Sequence, residues 1–286
     1  MPAHRTTATP NPLILITNDD GISSPGLRAA VRAALPLGEI LVAAPARQWS
    51  GAGRSMPPGP EGHTSPYSLE GEAGEVTAYQ VDDSPASVVA RAVLQLAPRR
   101  PALVVSGINY GENMGTDVTI SGTVGAALQG AAFGIPALAV SLQTPKETHT
   151  NPSDSVDFTA AIHFTRLFAR WMLQTKLPFD VDALKIDLPD DATPATPWRL
   201  TRVSRHTYFV GVPPLARESN SPLIAEGAGG GLDYEQLPHP ERTEPDSDIY
   251  ALAVDRVVSI APLSMDLTSR SDRREIEALL RGPAPR

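Results

Sequence analysis

Nine residues near the start of the chain, Leu13-Ile14-Leu15-Ile16-Thr17-Asn18-Asp19-Asp20-Gly21, constrain the fold more than any other stretch. A short, unbroken aliphatic run bounded by turn formers is the pattern of a strand in a parallel sheet, where helices cover both faces and neither can be polar. The run stops on two adjacent carboxylates and a glycine, which places the acids at the carboxyl end of the strand. In open α/β sheets ligands bind along that edge. Asn-Asp-Asp-Gly is also favourable turn chemistry, and an aspartate ahead of a helix often serves only as a cap. Taken alone, the stretch is compatible with a functional site and with a turn.

The segments that follow keep to the α/β rhythm. Ser24 can cap a helix whose first position is Pro25, running to about Leu35, and Glu39 to Ala44 reads as a second strand stopped by Pro45. Strand, helix and strand at this spacing make a right-handed βαβ unit. Residues 45–80 are rich in Gly, Pro and Ser and predict a long loop with short strands beside the site. A helix is expected over Pro85 to Leu96, a buried strand over Leu103 to Asn109, and a helix opening at Ser121-Gly122-Thr123 and ending near Phe133. A strand at Ala137 to Ser141, an amphipathic helix over Ser155 to Leu173 and a strand at Leu184 to Leu188 complete the regular region. From Pro189 onward the pattern turns irregular, with β-rich pieces at Trp198 to Val203 and Val257 to Ala261. A closing helix spans about Ser271 to Leu280, ahead of a disordered tail.

Composition removes several chemistries. The chain has 286 residues and no cysteine, so thiol nucleophiles, disulfides and thiolate metal sites are excluded, and any metal must be held by oxygen or imidazole. A formal net charge of −8 argues against stable binding to a nucleic-acid backbone. The opening residues lack the apolar core of a secretory signal and no later apolar run is long enough to span a bilayer, so a cytoplasmic protein without membrane partners is expected. The six histidines are scattered singly, which gives a zinc site little support.

Collecting the polar strand ends brings together Asp19, Asp20 and Asn109, with Ser50 just beyond the second strand. Hard divalent cations such as Mg²⁺ take oxygen ligands of this kind, one or two carboxylates with substrate phosphate and water completing the shell. The helix opening at Ser121 presents free backbone N–H groups and two hydroxyls, a cradle for phosphate. Ser121 and Thr123 could equally be plain caps, Asn109 a strand-end cap, and Ser50 part of a glycine turn. Gly-x-x-x-x-Gly-Lys-Ser/Thr, Gly-x-Gly-x-x-Gly after the first strand and Gly-x-Ser-x-Gly are all missing, and the position an aspartyl-phosphate nucleophile would need is Asn18.

These residues carry a resemblance. Thr17-Asn18-Asp19-Asp20-Gly21 with Ser24-Pro25-Gly26, Ala44-Pro45 with Ser50-Gly51, Ser106-Gly107-Ile108-Asn109-Tyr110-Gly111 with Asn113 and Gly115, and Ser121-Gly122-Thr123-Val124 resemble the survival protein SurE family of metal-dependent nucleotidases. Asp246-Ser247-Asp248, Ser259 to Leu263 and Asp266-Leu267-Thr268 extend the likeness nearly to the end. The resemblance implies hydrolysis of nucleoside 5′-monophosphates, with 3′-monophosphates as further candidates, by attack of a metal-bound water. One Mg²⁺ or Mn²⁺ would be held by Asp19, Asp20, Ser50 and Asn109, with Asp19, Asp20 and Asn109 catalytic, while Asn113, Ser121, Gly122 and Thr123 bind the phosphate. The implied fold is a Rossmann-like, mostly parallel sheet flanked by helices, with an irregular β-rich C-terminal arm exchanged in a homodimer or tetramer. The expected division is an extension over 1–12, a catalytic core over 13–190, an oligomerising arm that returns to the core over 191–268, and a helix and tail over 269–286.

The chain departs from the family pattern at Asp83 to Ser87, at Ile120, and at Lys185-Ile186-Asp187-Leu188-Pro189, where Asn-Val-Asn-hydrophobic-Pro is common. None of these positions is an expected ligand. A non-catalytic nucleotide or metal sensor on the same fold is the competing function.

Overall fold

The computed structural model describes residues 11–58, 62–69, 76–212 and 233–282. All five residues of β1 (Leu13–Thr17) are buried. Ile14 and Ile16 pack in a cluster with Leu27, Val31, Phe164 and Phe168, whereas Leu13 and Leu15 pack with Val88, Val89, Val124 and Ala127. Alternate side chains of a strand point to opposite faces, so the aliphatic run is covered on both sides.

After β1 come α1 (Pro25–Ala34), β2 (Glu39–Pro45), β3 (Thr64–Pro66), β4 (Thr77–Val81), α2 (Pro85–Arg91), β5 (Leu103–Tyr110), α3 (Gly122–Ala132), β6 (Ala137–Leu142), α4 (Thr159–Gln174) and β7 (Ala183–Leu188). β8 (Trp198–Leu200), β9 (Phe209–Val212), β10 (Asp233–Gln236), α5 (Asp248–Ala253), β11 (Val258–Leu263) and α6 (Arg273–Arg281) follow. The main sheet runs β3-β4-β2-β1-β5-β6-β7-β11-β8. It is parallel from β4 across to β7; β3 is antiparallel to β4, and β11 is antiparallel to β7 and parallel to β8. This is the expected α/β class. α1 and α4 cover one face, and α2 and α3 the other.

Two local details place the site. Ser24 accepts the Gly26 N–H at 3.2 Å and Pro25 takes the first helical position, so α1 begins where the sequence indicates. A Cβ on Gly26 would lie 2.0 Å from the Ile108 carbonyl oxygen, so only glycine lets α1 start this close to β5. The chain leaves β1 through α1 to β2 on one side and returns as β5 on the other. This reversal of strand order opens a crevice at the carboxyl ends of β1 and β5.

Two boundaries differ from the sequence reading. The amphipathic helix starts at Thr159, not Ser155, because Asp157 accepts the Thr159 N–H at 2.8 Å and Ser153 accepts the Ser155 N–H, so local side-chain bonds hold a turn there. The sheet also continues past β7 through β11 and β8. The paired β9 and β10 stand apart from that sheet and are fastened at their base by Met114, Tyr208, Ile249 and Leu252. Asp117 accepts the N–H groups of Tyr208 and Phe209 at 3.1 and 2.8 Å. The expected N-terminal extension up to residue 10, the glycine run Gly227 to Gly231 and the end of the tail lie outside the described residues. Among the described residues no helix is long and apolar enough to cross a membrane.

Candidate active site

The turn after β1 assigns its four residues different work. Asn18 donates from Nδ2 to the Gly21 carbonyl at 3.0 Å and accepts the Gly21 N–H at 3.2 Å, while Gly21 takes a φ of 101°. Asn18 and Gly21 therefore close the turn. The hydrogen bonds of the Asp19 and Asp20 carboxylates run instead to distant parts of the chain.

Asp19 is almost wholly buried and accepts the Thr123 hydroxyl at 2.5 Å. A Cβ on Gly122 would sit 2.7 Å from Asp19 Oδ2, so the glycine allows the first turn of α3 to press against the acid. Ser121 caps that helix by accepting the Val124 N–H at 3.1 Å. The N-terminal end of α3, with its partial positive charge, thus faces the carboxylate: the Thr123 N–H also bonds Asp19 and the Val124 N–H bonds Ser121, which leaves the Gly122 N–H for an anion beside it.

Asp20, also buried, accepts the Tyr110 N–H at 3.3 Å and the Gln48 Nε2 at 3.2 Å. The same Gln48 nitrogen lies 2.9 Å from Ser50 Oγ and 2.5 Å from the His149 carbonyl oxygen. It links the exposed Ser50 loop to Asp20. Trp49 ties that loop to β1 through its N–H to the Asp19 carbonyl at 2.7 Å.

Asn109 is delivered by an irregularity in β5. The register against β6 shifts between Ser106 and Asn109, and Gly107 holds a φ of 127° where a Cβ would meet the Val140 carbonyl oxygen at 2.3 Å. Such a bulge re-aims the residue that follows it. Asn109 Nδ2 donates to the carbonyls of Tyr110 and Gly111 at 3.2 and 2.7 Å, which leaves the amide oxygen as its ligand-facing atom.

The two carboxylates have no cationic partner among the described residues. Burial lifts Asp19 to about 6, and burial followed by repulsion from Asp19 lifts Asp20 well above the ordinary range. Two adjacent buried acids in this condition are poised to take up a positive charge. Among the described residues no three His, Asp or Glu side chains converge. The donor set is two carboxylates with the neutral oxygens of Asn109 and Ser50, and that hard set fits Mg²⁺ or Mn²⁺.

Asn113 sits one loop further on. Its N–H donates to Asp187 Oδ1 at 2.8 Å and its Nδ2 to Ser141 Oγ at 2.8 Å. Asp187 and Asp248 both bind Lys185 Nζ, the latter at 3.0 Å, and all three side chains are fully buried. Asp248 also accepts the Gly115 N–H at 3.1 Å. This cluster holds the loop that carries Asn113.

The structure thus brings Asp19 against the Ser121–Thr123 helix start directly, sets Asn109 next to Tyr110, whose N–H bonds Asp20, joins Ser50 to Asp20 through Gln48, and holds Asn113 one loop away on Ser141 and Asp187. Gln48, His149 and the Lys185 cluster do not stand out in the sequence reading. A lone glutamine in a loop and a single histidine carry no motif, and Lys185 and Asp187 stand out only as a departure from the family pattern.

Residues 14–209 match the sequence profile of the family described as "Survival protein SurE". The 5′-nucleotidase SurE of Thermococcus gammatolerans is 37% identical over 273 residues, covering 94% of this chain and 96% of that protein. The 5′-nucleotidase SurE of Methanosarcina mazei is 36% identical over 275 residues, covering 94% and 98%. The crystal structure of the SurE protein from Aquifex aeolicus superposes with a TM-score of 0.71 at 26% identity, covering 94% of this chain and all of that one.

Proposed function

Because the chain belongs to the survival protein SurE family, we propose that it is a divalent-metal-dependent 5′-nucleotidase, which converts nucleoside monophosphates to nucleoside and phosphate. The observation that supports the metal dependence is the buried Asp19–Asp20 pair at the strand-order reversal, with no cationic partner among the described residues and the N-terminus of α3 beside it.

When bound, a divalent cation supplies Lewis acidity that polarises the phosphoryl group and activates water. Asp19 and Asp20 hold it, and Asn109 and Ser50 offer neutral oxygens. Thr123 fixes one oxygen of Asp19, and Gln48 and the Tyr110 N–H orient Asp20. The backbone N–H of Gly122, with the Ser121 hydroxyl and the Asn113 amide, is the donor set for the phosphate oxygens, while Thr123 holds Asp19 beside them. These contacts read the phosphate and not its position on the ribose, so 3′-monophosphates belong among the substrates.

The test is phosphate release from a panel of 5′- and 3′-nucleoside monophosphates with Mg²⁺ or Mn²⁺, with EDTA, and with Asp19→Asn. Release that needs the cation and is lost in the variant supports the enzyme. Tight nucleotide binding with no release under any condition supports a sensor instead. Self-association into a homodimer or tetramer through residues 191–268 completes the reading. Replacing residues 213–232 with a short linker should then give a monomer by light scattering, and an unchanged oligomer would contradict it.

A further inference from the structure

Asn113 and the Ser121–Gly122 helix start, the groups assigned to the phosphate, are the two ends of one short segment. How they stand to each other is set by the residues between them. The near end rests on the core, where Asp187 and Ser141 hold Asn113. Toward the far end, the Asp117 carbonyl accepts the N–H groups of Ile120 and Ser121 at 3.0 and 3.1 Å and so hands the chain on to α3. The Gly53 N–H, 2.8 Å from the Ile120 carbonyl, steadies that end.

The middle of the segment is held by chain from far along the sequence, residues 201–209, which follow β8. That stretch is itself anchored. The Thr201 N–H donates to the Ile260 carbonyl in β11 at 2.9 Å, the Arg202 N–H to the Asp246 carbonyl at 3.1 Å, and the Asp248 N–H to the Arg202 carbonyl at 2.9 Å. It then crosses the phosphate segment. Gly115 and Thr207 form an antiparallel bridge, the Thr116 N–H donates to the His206 carbonyl at 2.9 Å, and the Thr116 and Thr207 hydroxyls lie 2.9 Å apart. A Cβ on Gly115 would sit 2.1 Å from the His206 carbonyl oxygen, so only glycine permits so close a crossing. Below it the fully buried Met114 packs with Tyr208, Ile249 and Leu252.

Two carboxylates lock the crossing. Asp117 Oδ2 accepts both the Tyr208 and the Phe209 N–H, at 3.1 and 2.8 Å. Asp248 accepts the Gly115 N–H on Oδ2 at 3.1 Å and the Ser204 N–H on Oδ1 at 2.9 Å, so one side chain grips both partners. The side-chain bonds of Asp19 and Asp20 run elsewhere, to Thr123, Gln48 and the Tyr110 N–H. The expected metal ligands and the phosphate donors thus draw their support from different parts of the chain.

Resting on the nucleotidase reading, we propose that residues 201–209 brace the segment from Asn113 to Ser121 and thereby set the phosphate affinity of the site, with Asp117 and Asp248 as positioning residues. Neither acid touches the substrate. Each acts through the backbone that carries Asn113 at one end and Ser121 at the other. Displacing a positioned donor by about 1 Å costs up to a hundredfold, so loosening the brace is felt at the phosphate. Beyond any part in assembly, the start of the arm is a working part of the site.

The experiment measures KM and kcat for adenosine 5′-monophosphate, equilibrium binding of inorganic phosphate and calorimetric binding of Mn²⁺ in wild type, Asp117→Ala, Asp117→Asn and Gly115→Ala. Asp117→Asn keeps an acceptor oxygen for the two N–H groups, Asp117→Ala has none, and Gly115→Ala drives a Cβ into the His206 carbonyl. In both alanine variants KM and the phosphate dissociation constant should rise about tenfold, with Mn²⁺ affinity unchanged and Asp117→Asn close to wild type. Unchanged phosphate binding in the alanine variants overturns the proposal. Mn²⁺ binding lost in parallel with phosphate also overturns it, since a merely structural role would take both. An Asp117→Asn variant as impaired as Asp117→Ala removes Asp117 as the lock. A wild type that binds phosphate but releases none from the nucleotide, with weaker phosphate binding in the alanine variants, overturns the nucleotidase reading and leaves the brace standing. Absence of both binding and release overturns both.

Discussion

Two pairs of buried aspartates lie on one sheet, and the protein treats them in opposite ways. At the end of β7, Asp187 and Asp248 flank Lys185, and the three side chains are sealed from solvent together. Asp187 Oδ1 accepts the Asn113 N–H, Asp248 Oδ1 the Ser204 N–H, and Asp248 Oδ2, which also binds Lys185, the Gly115 N–H. At the end of β1, Asp19 and Asp20 are nearly as buried but have no lysine or arginine beside them among the described residues. The first pair carries its own counter-charge and clamps a loop. The second has hydroxyl, amide and backbone donors only, which orient the acids without neutralising them. Burial and a raised pKa are shared by both places, since Asp187 is also lifted to about 6 by burial; what separates them is the lysine between Asp187 and Asp248.

The contrast makes removal of charge have opposite consequences at the two places. The largest effect is expected for Lys185→Met, which strands two buried carboxylates and should destabilise the fold by about 3–5 kcal/mol in denaturant unfolding. A change below about 1 kcal/mol would mean that the β7 pair is not held by its lysine. Next comes Gly122→Ala, which pushes a Cβ into Asp19. It should lower phosphate release by about tenfold to a hundredfold, as loss of second-sphere support does at metal sites, while global stability changes far less than in Lys185→Met. Wild-type turnover in this variant would detach the start of α3 from the chemistry.

The smallest effect concerns metal-free stability. Asp19 in the folded protein titrates at about 6 against an ordinary 3.8, and Asp20 is raised further in the same direction. A folded-state pKa above the unfolded one favours folding fully below pH 3.8, and that contribution is lost as pH rises through about 6. Metal-free wild type should therefore lose stability across this window, with Asp187, also lifted to about 6 by burial, contributing in the same direction, and Asp20→Asn should make the profile less steep and melt a few degrees higher above it. Differential scanning calorimetry in EDTA over that pH range decides. A lower melting temperature for the variant would show that the pair is already compensated.

The parts of the site that were legible in the sequence are those written within single segments. An aliphatic run ending on Asp19 and Asp20, a second ending on Asn109, and a small-residue helix opening at Ser121 each announce themselves locally, because strand burial and helix capping act over a few residues. What was hidden depends on distant encounters. Gln48 gains its meaning by reaching both Asp20 and the carbonyl of His149. Lys185, a departure from the family pattern inside β7, gains its meaning from Asp187 and from Asp248, far along the chain. The start of α4 was misplaced for the opposite reason, since Ser153 and Asp157 hold a local turn that outweighs the amphipathic pattern.

If the Asp19–Asp20 pair holds a divalent cation, calorimetric titration of the metal-stripped protein with Mn²⁺, comparing wild type with Asp20→Asn, reads it directly. One cation per chain is expected in wild type and none in the variant. Equal Mn²⁺ binding by both proteins, or no binding by wild type, would contradict it.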